Sequence, residues 1–325
     1  MTERLSYVLP LRTRAGDLET GELTRYLEWL SARTDLIIVD GSEPMSFRAH
    51  RERWGAFATH VSPDGDIRSA NGKVRGVLTG LRLAEHERVV LADDDVRYDD
   101  RSLERMSRLL GTADLVRPQN YFDPLPWHAR WDTARILLNR ALGNDYPGTL
   151  GIRRSFLRSV GGYDGNVLFE NLELIRTVVA AGGRVVNAPT LFVGRRPPTL
   201  ARFLEQRPRQ AYDDWAQPPR LAVFLAAGPA MIALARFRPR GLAFAAATAV
   251  LVASVGRVRH GGRQVFDRLS PLLAPVWIVE RATLAWAAVG LRLTRGGCPY
   301  GGEVIRRAAN PPRVLRRRLS ARVSG

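Results

Sequence analysis

The sequence predicts an α/β domain built on a mostly parallel sheet, followed by a C-terminal α-helical, membrane-associated region. Three observations carry this. Short apolar runs alternate with stretches of helical periodicity between residues 5 and 92, the pattern of strands joined by crossover helices. Pro10, Asp40 and Asp93–Asp95 sit at the carboxyl ends of these runs. From Leu221 onward the chain changes character, to long uncharged runs interleaved with arginine. The expected division is a domain over 1–215 and a helical region with a basic tail over 216–325.

Residues 5–11, Leu-Ser-Tyr-Val-Leu-Pro-Leu, read as a first strand. Glu22 to Leu30 reads as a helix, with Leu23, Tyr26, Leu27 and Leu30 at helical spacing. Leu36-Ile37-Ile38-Val39 is a short buried strand closed by Asp40-Gly41-Ser42, which is turn chemistry. A second helix is expected over about 72–86, and Arg88 to Ala92 forms a third strand ending at Asp93-Asp94-Asp95. In open α/β sheets ligands bind beyond the carboxyl ends of the strands, where Pro10, Asp40 and Asp93–Asp95 all fall. Farther on, Ser155–Val160 and Glu170–Ala181 read as helices, the second ended by Gly182-Gly183, and Arg184–Asn187 reads as a strand. Arg195-Arg196-Pro197-Pro198 reads as a loop or linker.

The C-terminal third holds two uncharged runs, Leu221–Ala235 and Gly241–Gly256, with Arg236, Arg238 and Arg240 between them. A third run, Leu269–Leu293, is interrupted by Glu280-Arg281. A span needs about 20 apolar residues, so the first two are short for one. If both crossed, the three arginines would lie outside, against the positive-inside tendency, so a hairpin or interfacial helices compete with true spans. Buried core helices are the bland alternative.

Charge placement agrees with a membrane. Residues 1–100 carry 14 basic and 18 acidic side chains (−4), residues 101–200 carry 14 and 8 (+6), and residues 201–325 carry 21 and 6 (+15), giving the net +17. Basic and apolar together point to an anionic lipid surface. No nucleic-acid motif accompanies the charge, so nucleic acid is not an expected partner. The single cysteine, Cys298, excludes an internal disulfide. Met1-Thr2-Glu3-Arg4 leads into the first strand with no apolar signal core, so the N-terminal part is expected to stay in the cytosol.

Three adjacent carboxylates repel one another, and a site that keeps them usually holds a cation. Asp93 and Asp95, two apart in a strand-like segment, would face one way and hold a hard cation such as Mg²⁺ or Mn²⁺, with Asp94 beside them. Asp40 is placed to accept hydrogen bonds from a nucleobase or ribose, or else it is a turn residue. Lys73 is the one lysine in a chain that otherwise uses arginine, and a compact ammonium suits a diphosphate. Glu170 and Glu173 open a helix, where the dipole favours carboxylates, and either could act as a general base. Gln206 and Arg209 could clamp a phosphate or a sugar, or form a basic interfacial patch.

Taken in order, Val8-Leu9-Pro10, Ile38-Val39-Asp40-Gly41-Ser42, Asn71-Gly72-Lys73, Val90-Leu91-Ala92-Asp93-Asp94-Asp95, Gly161-Gly162-Tyr163-Asp164, Phe169–Leu174 and Gln206-Arg207-Pro208-Arg209-Gln210 resemble the family 2 glycosyltransferases. The likeness covers about residues 5–215. It is nearer to membrane-attached members of the ceramide-glucosyltransferase-like type, which carry a D-x-D, a later acidic residue and Q-x-x-R-W before membrane-associated helices. The resemblance implies the Rossmann-like GT-A fold and inverting, metal-dependent transfer of a sugar from a nucleotide-sugar donor. Asp93 and Asp95 would match the D-x-D on metal and diphosphate, Asp40 the nucleobase-binding Asp, and Gln206 and Arg209 the Q-x-x-R. A lipid or polyprenyl-linked acceptor would be met at the cell membrane, with the catalytic domain on the cytoplasmic side.

Two positions depart from the pattern. Asn171 stands where the family usually has the Asp that serves as base, so Glu170 takes the role, or Glu173 does, or activity is lost; the motif favours Glu170. Gln210 stands where Trp is usual. Two other readings stay open: a catalytically silent relative acting as a membrane scaffold, and a nucleotidyltransferase.

Overall fold

The computed structural model describes residues 4–13 and 21–323; Met1–Glu3 of the expected cytosolic start lie outside them. In chain order the elements are β1 (Ser6–Leu11), α1 (Gly21–Ser31), β2 (Asp35–Asp40), α2 (Pro44–Trp54), β3 (Thr59–Val61), α3 (Gly72–Leu83), β4 (Arg88–Ala92), β5 (Val96–Arg97), α4 (Asp100–Leu110), β6 (Leu115–Phe122), α5 (Trp127–Leu142) and β7 (Thr149–Arg153). They continue with α6 (Arg154–Ser159), α7 (Glu170–Ala180), β8 (Val185–Arg195), α8 (Leu200–Tyr212), α9 (Pro218–Phe237), α10 (Pro239–Val258), α11 (Ala274–Arg295), β9 (Cys298–Tyr300), β10 (Glu303–Ile305) and α12 (Pro312–Val323).

The main sheet has the order β3-β2-β1-β4-β7-β6-β8-β5. β1 pairs in parallel with β2 and β4, and β2 with β3. β7 is antiparallel to both β4 and β6, so the parallel block stops there. The predicted fold class stands: a mixed, mostly parallel α/β domain followed by long apolar helices. The expected third strand is the fourth in the chain, because the three-residue β3 precedes it.

Alternation along the strands explains their unbroken apolar character. Tyr7, Leu9 and Leu11 join one buried layer with Leu27 and Leu30 of α1, Trp54 of α2 and Met106 of α4. Val8 faces the opposite layer, with Val74 and Val77 of α3 and Leu174 and Val178 of α7. A strand buried on both faces needs no polar alternation. On the second face α3 lies very close to β1: a Cβ added at Gly80 would sit 2.3 Å from Val8 Cγ1, and one at Gly76 would sit 2.9 Å from Pro10 Cβ.

The chain forms two compact units, one of residues 1–118, 147–193 and 310–325, the other of residues 119–146 and 194–309. In the second unit α9, α10 and α11 are the helices long and apolar enough to cross a membrane. α9 and α10 each reach 20 residues, because both helices run past the uncharged stretches into their flanks. Their apolar windows are only 6% and 17% buried, against 33% for α11, so the reading as buried core helices does not hold for the first two. Val223, Ile232, Phe237, Phe244 and Leu251 are exposed. Charged side chains of this unit pair internally instead: Arg135 bonds Asp132 at 3.1 Å and Asp145 at 2.9 Å, and Arg207 bonds Asp132 at 2.8 Å. Burial alone would raise the Asp132 carboxyl, but Arg135 and Arg207 hold it well below the usual range.

Candidate active site

The site is built at the carboxyl ends of β1, β2 and β4 and at the starts of α3 and α7. Asn71 caps α3: its side chain accepts from the Lys73 amide at 3.0 Å, and its Nδ2 donates to the Val167 carbonyl at 3.0 Å. Its own amide donates to Gly165 O at 2.9 Å. One buried asparagine therefore ties the start of α3 to the loop that delivers α7.

That tie brings three charged groups together. Lys73 Nζ lies 2.5 Å from Asp93 Oδ1 and 2.7 Å from Glu170 Oε1. The three side chains are 20%, 25% and 15% exposed, so they are sheltered but reachable. Burial alone would lower the Lys73 pKa; Asp93, then Glu170, outweigh it and push it up, so the ammonium stays protonated. Burial raises the nearby Tyr163 phenol, and the Glu170 charge adds to that rise. Asp93 is fixed by its amide, which donates to Gly148 O at 3.0 Å.

Asp94 and Asp95 form the turn between β4 and β5. The expectation that Asp93 and Asp95 face one way by strand alternation therefore does not apply, since the alternation of a strand is lost in a turn. The Asp94 carbonyl accepts from Arg97 Nη1 at 2.7 Å. Pro10 packs against Gly76 of α3.

Asp40 is committed elsewhere. His50 Nδ1 donates to its Oδ2 at 2.7 Å, His60 Nε2 to the same oxygen at 3.1 Å, and the Ser42 amide to Oδ1 at 2.9 Å. Its side chain is fully buried. Burial alone would raise its pKa, but the hydrogen bonds from His60, Ser42 and His50 hold it down at about 2. His50 stacks on Trp54, with ring centroids 4.5 Å apart. Donor atoms of Asp40, His50 and His60 lie within 4.8 Å of one another, so the cluster could also hold a metal, and its nitrogens suit a borderline ion rather than Mg²⁺. Neither histidine stood out in the sequence.

The two helix-opening glutamates have different surroundings. Glu170 meets Lys73, whereas Glu173 is fully buried on Asn310: Oε2 accepts from the Asn310 amide and Oε1 from its Nδ2, both at 2.6 Å. Burial raises Glu173, and the Asn310 bonds offset this only in part. Asn171 donates to the Pro147 carbonyl at 3.0 Å, a bond that an ionised Asp could not make. Gln206 and Arg209 belong to α8 in the second unit, where Arg209 lies 5.0 Å over the Tyr300 ring. Their neighbour Arg207, which sequence reasoning passed over, is the buried one: it bonds Asp132, Glu280 and Gln210.

Asp93 and Glu170 offer carboxylate oxygens, the donor type that suits Mg²⁺ or Mn²⁺, but among the described residues the cluster of three possible metal ligands is Asp40, His50 and His60, not one at Asp93. The Lys73 ammonium already rests on Asp93 Oδ1, which marks a place where positive charge is stabilised.

No family model matches the chain. Its fold, a mixed, mostly parallel α/β sheet followed by long apolar helices, is shared with a solved protein. Among solved structures the chain is similar to a mannosyltransferase from Pyrobaculum calidifontis in complex with GDP-Man and Mn²⁺, with a TM-score of 0.52 and 17% identity over 90% of this chain and 87% of that one. Among curated proteins it is 30% identical over 118 residues to the molybdenum cofactor guanylyltransferase of Pseudomonas entomophila, over 34% of this chain. The match spans 61% of that relative's length.

Proposed function

We propose that the chain is a membrane-associated glycosyltransferase that moves a sugar from a nucleotide-sugar donor to an acceptor hydroxyl with inversion. The observation that carries this is the convergence of Asp93 and Glu170 on Lys73 at 2.5 and 2.7 Å, at the carboxyl edge of a parallel sheet. A divalent Mg²⁺ or Mn²⁺ ion, held by Asp93 and Asp95, would supply neutralisation of the donor's diphosphate. Lys73 turns its ammonium from the two carboxylates to the leaving diphosphate oxygens. Glu170, relieved of that partner, takes the proton of the acceptor hydroxyl as it attacks the anomeric carbon in line. Glu173 serves as an anchor, since both of its oxygens are spent on Asn310. Asp40 orders the base-side pocket through His50 and His60, with Asp94 and Pro10 on the donor side. Gln206 and Arg209 serve the phosphate or the acceptor.

The exposed apolar faces of α9 and α10 support attachment to a membrane and a lipid or polyprenyl-linked acceptor. The basic C-terminal third favours the cytoplasmic leaflet. Guanine nucleotides come first among donors, because the similar solved protein binds GDP-Man and the curated relative is a guanylyltransferase. That relative also supports a second reading, transfer of a nucleotidyl group.

The released product separates the readings. With Mn²⁺ and a sugar-nucleotide panel led by GDP-mannose, the parent is expected to release nucleoside diphosphate. Glu170→Gln should lose about 10²–10⁴-fold of that rate and keep donor affinity. Pyrophosphate release from a nucleoside triphosphate would instead establish the nucleotidyltransferase. Turnover unchanged in the variant would remove Glu170 as base, and no turnover with either substrate class would leave the scaffold reading.

A further inference from the structure

The unit that holds the sheet is made from three stretches of chain, and all three long apolar helices lie between the second and the third. The second stretch ends at Val193 and the third begins at Asn310. The return at Asn310 is deeply built in. Asn310 is fully buried, donates twice to Glu173 at 2.6 Å, and donates to Asp164 Oδ2 at 2.9 Å. Its carbonyl accepts from Arg176 at 3.0 Å. α12 then follows, with Leu315 buried and Arg318 bonded to Asp164 at 2.8 Å. Glu173, Arg176 and Asp164 belong to α7 and to the turn before it, so the tail is part of the same folded body as the sheet.

A folded, charged body occupies one side of a bilayer. A chain that leaves it at Val193 and rejoins it at Asn310 must cross an even number of times. Three helices in that interval are long and apolar enough, and three is odd. We infer that α11 does not cross, and that the sheet-bearing unit and the tail share one membrane face. This rests on the membrane attachment proposed above.

The side chains of α11 single it out. Glu280 and Arg281 interrupt it, and both are tied to charged neighbours outside the helix. Arg207 bonds Glu280 through two nitrogens, one at 2.7 Å. Arg281 bonds Asp214 at 2.7 and 2.9 Å, and Arg220 joins Asp214 at 3.3 Å. Arg207 lies on α8, which also carries Arg202, Glu205 and Arg209. Carrying α11 through hydrocarbon would draw these charged partners in with it, and charge in the bilayer core is disfavoured. α9 and α10 are free of charged side chains over 221–235 and 241–256, so they cross as a pair or lie in the surface as a pair, and the parity is even either way.

The test is sidedness of labelling. In a chain carrying Cys298→Ser, single cysteines replace Glu52 on the sheet-bearing unit, Leu272 and Leu293 on the two flanks of α11, and Ser320 on the tail, all exposed positions. A membrane-impermeant maleimide is applied to sealed inverted and right-side-out vesicles. All four positions are expected to react in the same vesicle orientation and to be protected in the other. Reaction of Glu52 and Ser320 from opposite faces overturns the inference, and so does reaction of Leu272 and Leu293 from opposite faces. An epitope tag after Gly325, probed by protease in the same vesicles, reports the side of the tail with no substitution in the fold. Release of the whole protein by carbonate extraction would reject membrane attachment itself, and that outcome is distinct from any labelling pattern.

Discussion

At the residue scale, Asp40 carries the clearest dependence on pH. Its carboxyl is held at about 2, against an ordinary value of 3.8. A depressed carboxyl contributes stability that is present above its unfolded pKa and lost as pH falls through the folded one. The difference corresponds to about 2 kcal/mol, present above about pH 4 and fading toward about pH 2. Asp40→Asn is therefore expected to lower the denaturant midpoint near neutral pH, with the gap to the parent narrowing as the solution is acidified to about pH 3. A gap that stays constant with pH would show that the charge is not what matters. The carboxylate itself was legible, since it closes an apolar run. Its partners were not. His50 and His60 lie 10 and 20 residues downstream, on a helix whose sequence is largely polar and on a strand of three residues. The Lys73 pairing was half-legible: the lone lysine stood out, but its contact with Glu170, 97 residues away, depends on Asn71 tying the two helix starts together.

At the scale of elements, the approach of α3 to β1 sets where Lys73 stands. The helix lies close because Gly76 and Gly80 present no side chain to Pro10 and Val8. Val8 is fully buried and β-branched, so it has little freedom to yield. Gly80→Ala is expected to destabilise the protein by about 1–3 kcal/mol through overpacking, despite the helix preference of alanine. Gly72→Ala is the control, because nothing lies within 4 Å of its added Cβ, and it should leave the melting temperature near that of the parent. Equal melting temperatures for both variants would contradict the close-packing account. The parallel strands and their helices were readable because each has a strong period and a clear stop. The antiparallel β7 and the charged helix α5 were not, since their positions are decided by distant partners: β7 by its registers with β4 and β6, α5 by ion pairs to Asp145 and Arg207. The two positions that depart from the resemblance each have a hydrogen-bond partner. Asn171 is a donor to backbone, and Gln210 accepts from Arg207 at 2.9 Å.

At the scale of the whole molecule, one body is formed by chain from both sides of the apolar helices. The sequence predicts a basic tail, and α12 exposes Arg313, Arg316 and Arg317. What periodicity could not reveal is that a single buried asparagine, Asn310, docks that tail into the unit that bears Glu170. In the proposed function this unit holds a nucleotide sugar with the help of a cation at Asp93. Equilibrium binding tests it most directly: calorimetric titration of the parent and of Asp93→Asn with GDP-mannose and other nucleotide sugars, with and without Mn²⁺. Binding in the parent is expected to require Mn²⁺ and to weaken at least about 10-fold in the variant, the loss expected when one charged ligand of the cation is removed. Binding that ignores both Mn²⁺ and the substitution, or no binding of any donor, would contradict it.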